Sequence, residues 1–241
     1  MEAFEAGDHT AALTHLAQLS PDGSLHRRAR YTEGVILNQQ DRLKSAVLAF
    51  SEVYRDEDTA QLLKDRSLLN IGWIYYKIDR FDEAHTYFRL VDRDSPVWPE
   101  AMLGAAWSLA MQDEAEDALG ALLALRGPEQ ADTIFLPEVA HLAALLYTDR
   151  CHYDTAMTIS LQLRDDLDPM RSELAAVGQM TPAQALERWF GEGDAGSALP
   201  VSLFAEMLRD RDLLRALNRA DEITAEPVSY THLRAHETDT D

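Results

Sequence analysis

The chain has 241 residues, 46% hydrophobic and 27% charged, which is typical of a globular protein long enough to bury a core. Its formal net charge of −20 at pH 7 disfavours nucleic acid and anionic membrane surfaces as partners, because both bind clustered Lys and Arg. The single cysteine, Cys151, excludes an intramolecular disulfide and a cysteine-based metal cage. The longest apolar-leaning run, 101–111, is too short to span a bilayer, so no direct membrane insertion is predicted.

A pattern of small and aromatic residues begins at the N-terminus and recurs every 34 to 38 residues. It is clearest in residues 68–96, where its members are Gly72, Tyr75, Ala84, Phe88 and Pro96. Apolar residues at i, i+3, i+4 and i+7 predict two amphipathic helices here, and the small residues allow these helices to approach closely. Asp79 is expected to cap the second helix, and Pro96 to end it.

The same pattern recurs in chain order. An incomplete unit contains Ala12 and Leu16, and later units contain Gly34, Ala46 and Phe50; Gly72, Ala84 and Phe88; Gly104, Ala118 and Leu122; and Ala144, Ala156 and Leu163. A four-helix bundle would also give amphipathic helices, but it does not require a fixed period. The repeat therefore predicts an all-α fold, an α-solenoid of helical hairpins.

Residues 1–169 resemble the tetratricopeptide repeat (TPR) superfamily, and residues 65–98 match its pattern best. A narrower resemblance, to bacterial envelope TPR proteins of motility or secretion-type machinery, covers residues 68–177. It rests on LLNIGWIYYKIDRFDEAHTYF, DSPVWPEAMLGAAWSLA and FLPEVAHLAALLYTDRCHYDTAM. The resemblance implies a scaffold that binds a protein or peptide, with no enzymatic activity and no cofactor.

By the same resemblance, a partner would bind the concave face formed by the first helix of each hairpin. The candidate residues on this face are Arg28, Tyr31, Asn38, Arg66, Trp73, Tyr76, Lys77, Trp98, Ser108 and His141. Rigid aromatic residues of this kind dominate binding energy at interfaces. For Trp73 and Trp98, packing between hairpins is the alternative. Arg66 and Asn70 match half of the carboxylate clamp of some TPR domains, but the other half is absent and that function is rejected.

The pattern changes after Pro169. Residues 170–177 are expected to form a short helix, Thr181 to begin another through a capping box, and Pro200 to begin a longer one. We interpret 170–226 as a C-terminal helical cap on the array. The final segment, 227–241, contains VSYTHLRAHET, which resembles a translated adapter sequence, and we expect it to be disordered and non-native.

Two short motifs suggest a small-molecule or metal site, and neither is convincing. Residues 191–196 fit GxGxxG, but a helix rather than a strand precedes them, which favours a loop. Cys151 and His152 are adjacent, and adjacent residues in a turn chelate poorly, so a semi-buried structural thiol is expected. The sequence predicts no catalytic, cofactor or metal residues.

Three functions follow from the sequence as hypotheses. The leading one is a protein-interaction scaffold of a bacterial envelope assembly; the second is a cytoplasmic TPR adaptor; the third is a helical enzyme domain. The incomplete first hairpin suggests that the chain is truncated, in which case a signal sequence could precede it and the protein would be periplasmic or outer-membrane associated. If Met1 is the true start, the first helix is short and a cytoplasmic location is expected.

Overall fold

The computed structural model describes most of the repeat array. The described residues are 24–125 and 137–181, together with Thr14, Leu16, Gln184, Ala185, Arg188, Leu199, Pro200, Leu203 and Met207. The predicted loop at 191–196 and the tail at 227–241 lie outside the described residues, as does most of the incomplete first hairpin.

Within this part of the chain there are eight α-helices and no β-strand, so the all-α prediction is confirmed. The helices are α1 Ser24–Gln39, α2 Leu43–Arg55, α3 Gln61–Lys77, α4 Phe81–Arg89, α5 Trp98–Ala110, α6 Ala115–Ala124, α7 Pro137–Asp149 and α8 Tyr153–Val177. Each odd-numbered helix is the A helix of a hairpin, and the even-numbered helix that follows is its B helix.

The helices belong to two compact units, residues 1–127 and 128–241. In the first unit each helix from α1 to α6 packs against the next along the chain, and α3 also contacts α1 and α5. The A helices of successive hairpins are therefore neighbours, as in a helical solenoid.

Close contact between phenylalanine and glycine joins the helices of the first unit. A Cβ added to Gly34 would lie 2.7 Å from the ring of Phe50, and one added to Gly72 or Gly104 would lie 2.6 Å from the ring of Phe88. Both rings are fully buried. Phe88 thus packs against the A helix of its own hairpin and that of the next, which explains why small residues recur at this position.

The turn inside each hairpin has the same backbone geometry. One residue of each turn has a left-handed backbone, with φ of 58° to 63°. These residues are Asp41, Asp79, Asp113 and Cys151. The N–H of each donates to the carbonyl three residues before it, and the following N–H donates to the carbonyl five residues before, as from Arg80 to Tyr75 at 3.0 Å. This is a Schellman motif, which satisfies the last carbonyls of the A helix. The prediction that Asp79 caps α4 is wrong, because Arg80 is the N-cap residue and no side chain caps the helix.

The connection between α4 and α5 corrects the predicted end of α4. The helix ends at Arg89, well before Pro96. The chain leaves the helix because the N–H of Val91 bonds to the Phe88 carbonyl, three residues back, and places the Val91 side chain in the core. Asp65 on α3 then accepts the N–H of Asp92 at 3.3 Å, which fixes the connection.

In the second unit, α7 packs against α8. A separate helix was expected after Pro169, but α8 continues through it to Val177. Proline removes one intrahelical donor and frees the carbonyl of Asp165. Both residues are exposed, so water can satisfy that carbonyl. The proposed domain boundary at 169 therefore does not coincide with a helix end.

The residues after α8 confirm one local prediction. The N–H of Thr181 donates to Oε1 of Gln184 at 2.9 Å, and the N–H of Gln184 donates to Oγ1 of Thr181 at 3.3 Å. This reciprocal pair is the expected capping box. Arg188 then forms a bidentate ion pair with Glu173 on α8, at 2.5 and 2.7 Å, and this pairing lowers the pKa of Glu173.

Candidate protein-binding groove

The A helices of the first unit carry nine of the ten candidate residues. Arg28, Tyr31 and Asn38 lie on α1; Arg66, Trp73, Tyr76 and Lys77 lie on α3; Trp98 and Ser108 lie on α5. The tenth, His141, is exposed on α7 in the second unit. We use the term groove face for the surface formed by the candidates on α1 and α3 together with Glu100 of α5.

Trp73 is held in place by contacts across two hairpins. Its indole N–H donates to Oε1 of Glu100 on α5 at 3.2 Å. Its ring makes edge contacts with Phe88 and Tyr76, with centroids 5.0 and 5.6 Å away. Trp73 is only partly buried, so it packs between hairpins and still presents surface to solvent. Sequence reasoning missed Glu100, because the repeat pattern does not indicate which side chains meet between hairpins.

Tyr31 makes an equivalent connection between α1 and α3. Its hydroxyl oxygen accepts a hydrogen bond from Nδ2 of Asn70 at 3.2 Å, and its ring makes an edge contact with Phe50, 5.5 Å away. Burial and, to a smaller extent, the charge of Glu100 raise the pKa of Tyr31, although the Asn70 hydrogen bond and the charge of Arg66 act in the opposite direction. The side chain therefore stays a neutral phenol at physiological pH.

Tyr76 and Lys77 lie at the end of α3. Tyr76 is partly buried against Phe81, with ring centroids 5.3 Å apart, and burial raises its pKa. Lys77 forms an ion pair of 2.7 Å with Asp41, the left-handed residue of the preceding hairpin turn. Its charge is thus compensated within the fold.

Arg28 and Arg66 occupy equivalent positions in successive hairpins, since each precedes the glycine of its A helix by six residues. Both are exposed. Among the residues that the structure describes, neither guanidinium forms an ion pair. Asn38 is partly buried on the last turns of α1.

Two candidates on α5 are less accessible than expected. Ser108 is completely buried, and its hydroxyl donates to the carbonyl of Gly104 at 2.9 Å, so the prediction that it lines the groove is wrong. Trp98 is only 9% exposed, and the guanidinium of Arg93 lies 5.8 Å from its ring centroid. The burial of Trp98 fits the alternative given for this residue, packing between hairpins, better than a place on the binding surface.

Two further features of the described residues are Cys151 and the distribution of metal-ligating side chains. Cys151 lies in a hairpin turn as expected, but it is exposed rather than semi-buried. The Tyr153 hydroxyl donates to its Sγ at 3.6 Å. No group of three metal-ligating residues occurs among the described residues. None of the helices in that part of the chain has both the length and the apolar character needed to cross a bilayer.

Comparison with known proteins agrees with the repeating hairpins. The model of the tetratricopeptide repeat family matches residues 1–60 and 69–132, a little over half of the chain. The chain belongs to the tetratricopeptide repeat family. No curated protein sequence matches it significantly.

Solved structures with the same TPR-type fold include two that align over most of their length. A MamA RS-1 ArsTM double mutant is 16% identical with a TM-score of 0.55, covering 69% of this chain and 91% of that chain. BtubC (BKLC) from P. vanneervenii is 15% identical with a TM-score of 0.54, covering 91% of this chain and 89% of that chain. At these identities the likeness shows a shared fold.

Proposed function

We propose that the chain is a protein-interaction scaffold that binds a peptide or partner segment across the groove face of its first unit. Membership of the TPR family supports the scaffold role. The observation that carries the proposal is Trp73, which is partly exposed yet held by Glu100 and Phe88. A rigid aromatic side chain loses little conformational entropy on binding and is a typical anchor of an interface. In this proposal the chain binds and does not catalyse.

The test is affinity capture with the full chain, followed by titration of the captured, purified partner. Trp73→Ala/Tyr76→Ala removes both aromatic side chains from the groove face. We expect it to weaken binding by at least about ten-fold, equivalent to about 1.4 kcal/mol. Tyr153→Ala is the matched control, because this tyrosine is 62% exposed and lies in the second unit.

Thermal unfolding of each variant shows whether the fold is retained, since Trp73 also packs against Phe88. A folded Trp73→Ala/Tyr76→Ala variant that binds the partner with unchanged affinity would refute the groove proposal. Equal losses in the variant and the control would place the interface elsewhere.

We place this scaffold in an assembly of the bacterial envelope. The resemblance of residues 68–177 to envelope TPR proteins supports this location, and a cytoplasmic adaptor is the alternative. Protease accessibility of the full-length protein in spheroplasts distinguishes the two, because only an envelope protein is digested while the inner membrane is intact.

A further inference from the structure

Three hydrogen-bond donors lie together on the groove face, and we call them the donor patch: Arg28 and Tyr31 on α1, and Arg66 on α3. Arg28 and Tyr31 are three residues apart, which places them on the same side of α1. Arg66 is close enough for its charge to affect the pKa of Tyr31. The helices α1 and α3 pack against each other, and Asn70, four residues after Arg66, donates to the Tyr31 hydroxyl, so the patch extends over two hairpins.

The donors of this patch are not used within the described part of the fold. Some other cations of the first unit are compensated there, as Arg27 is by Asp56 and Lys77 is by Asp41. Arg28 and Arg66 have no ion-pair partner among the described residues.

The Tyr31 hydroxyl is a third donor. Its oxygen already accepts from Asn70, and its own O–H has no acceptor in the described part of the chain. Burial keeps this phenol protonated. In a protein with a net charge of −20, two uncompensated cations beside a neutral O–H form a local site for an acceptor.

We propose that the donor patch binds an acidic segment of the partner protein, with two carboxylate side chains seated on Arg28 and Arg66. Neighbouring packed helices lie about 8–10 Å apart. A single guanidinium can hold one carboxylate in a bidentate pair, so two arginines on neighbouring helices match two acidic side chains. This inference rests on the proposed function and adds the chemistry of the partner.

The net charge of the chain does not prevent this pairing. At physiological ionic strength, interactions between exposed charges are screened beyond about 8 Å. The contacts of a bound carboxylate with Arg28, Tyr31 and Arg66 are much shorter than this. Glu100 is the acidic residue whose charge reaches Tyr31, and the two arginines of the patch outnumber it. Local pairing therefore outweighs repulsion from the more distant acidic surface.

The groove face also sets a direction for the bound segment. Trp73 and Tyr76 follow Arg66 by seven and ten residues on α3, which corresponds to about 10 and 15 Å along the helix. The partner segment therefore carries its acidic residues at one end and apolar residues at the other.

The test is selection of random displayed peptides on the full chain. The peptides are fused through their C-termini to the display protein, so that none has a free terminal carboxylate. The most enriched sequence is then synthesised, labelled, and titrated by fluorescence anisotropy against Arg28→Gln/Arg66→Gln, Trp73→Ala/Tyr76→Ala and a control, Arg42→Gln/Arg89→Gln. The two control arginines are also exposed and form no ion pair among the described residues.

We expect the selected peptides to be enriched in Asp and Glu. The Arg28→Gln/Arg66→Gln variant should bind at least about ten-fold more weakly, and the control should stay within about two-fold of the parent chain. An amide analogue of the peptide, with Asn and Gln replacing Asp and Glu, should lose a similar factor against the parent chain.

Two results would overturn the inference and keep the proposed function. One is peptides that depend on Trp73 and Tyr76 but are not enriched in acidic residues. The other is acidic peptides that bind equally well to Arg28→Gln/Arg66→Gln. If no peptide is selected, or none depends on Trp73 and Tyr76, both the inference and the proposed function are wrong.

Discussion

Four residues with left-handed backbone occupy the same position in successive hairpin turns. Three of them are aspartates, and the fourth is a cysteine. Asp41, Asp79 and Asp113 have short polar side chains that can hydrogen-bond locally, which makes this conformation tolerable for an L-residue. Asp41 gains a further contact from Lys77. Cys151 lacks a carboxylate, and its thiol accepts a weaker hydrogen bond from the Tyr153 hydroxyl, so we expect its turn to be the most strained of the four.

Replacing Cys151 with glycine should therefore stabilise the protein. The left-handed conformation costs a residue with a Cβ roughly 1–2 kcal/mol, and the greater freedom of glycine in the unfolded chain offsets part of this gain. We expect a net increase of about 0.5–1 kcal/mol in the free energy of unfolding, measured by urea denaturation.

Cys151→Ala is the matched control for this prediction. It removes the thiol and its contact with the Tyr153 hydroxyl but retains a Cβ in the left-handed conformation, so stability should not rise. An equal gain for alanine and glycine would mean that the thiol, and not the backbone, limits stability at this turn.

The spacing of these four residues was visible in the sequence. They are separated by 38, 34 and 38 residues, the same offsets as the small and aromatic positions. Asp79 was nevertheless assigned to the helix cap, because aspartate is favoured both at N-caps and in left-handed turns. In each of these four hairpins the left-handed residue lies one position before the N-cap residue, and this recurrence favours a left-handed turn over a helix cap. The pattern is hard to see in the sequence because the fourth turn has a cysteine in place of aspartate.

At the level of helices, the paired small and aromatic positions predicted the packing of the first unit. Gly72 and Gly104 both contact one buried ring, Phe88, and this contact joins α3, α4 and α5. Gly120 on α6 is different, because a Cβ added there would meet nothing within 4 Å. The two kinds of glycine should therefore respond in opposite ways to the same substitution.

Gly104→Ala should destabilise the chain by about 1–3 kcal/mol, since Phe88 is fully buried between helices and cannot move away from the new methyl group. Gly120→Ala should stabilise it by about 0.5–1 kcal/mol, because alanine is the better helix former. Both values are measured as changes in the free energy of unfolding in urea. Stabilisation at both positions would show that helix propensity, rather than the contact with Phe88, controls stability here.

The ends of helices were harder to predict than their packing. Pro96 was expected to end α4 and Pro169 to end the helix before it. Proline removes one donor, which is costly in a buried helix and much less costly where water can reach the freed carbonyl, as it can beside the exposed Pro169. Local sequence does not reveal that exposure, because it depends on how the helix packs.

For the whole molecule, the repeat pattern placed the candidate groove residues on A helices but could not give their contacts. The bonds from Trp73 to Glu100 and from Asn70 to Tyr31 join different hairpins, so they depend on how the hairpins stack. Burial of Ser108 is also a consequence of stacking, since the small residues of α5 let neighbouring helices approach closely. These contacts hold Trp73 and Tyr31 in place beside Arg28 and Arg66, which form no ion pair in the described part of the chain.

Because the net charge is −20, the stability of the whole chain should increase as the salt concentration rises. Self-repulsion destabilises the compact state. Screening it is expected to raise the free energy of unfolding, whereas screening exposed ion pairs such as Lys77–Asp41 lowers it by at most about 1 kcal/mol each. The relief of repulsion should exceed the weakening of ion pairs. Repulsion acts over distances that salt screens strongly, whereas the paired atoms are in contact.

We therefore expect the melting temperature at pH 7 to rise by about 2–4 °C between about 10 and 150 mM NaCl, corresponding to roughly 1 kcal/mol. The same titration near pH 4.6, the isoelectric point of the sequence, is the control. There the net charge is close to zero and salt can only weaken ion pairs, so the melting temperature should stay constant or fall. A decrease with salt at pH 7 would mean that the surface ion pairs, and not the excess of carboxylates, dominate the electrostatic free energy of this fold.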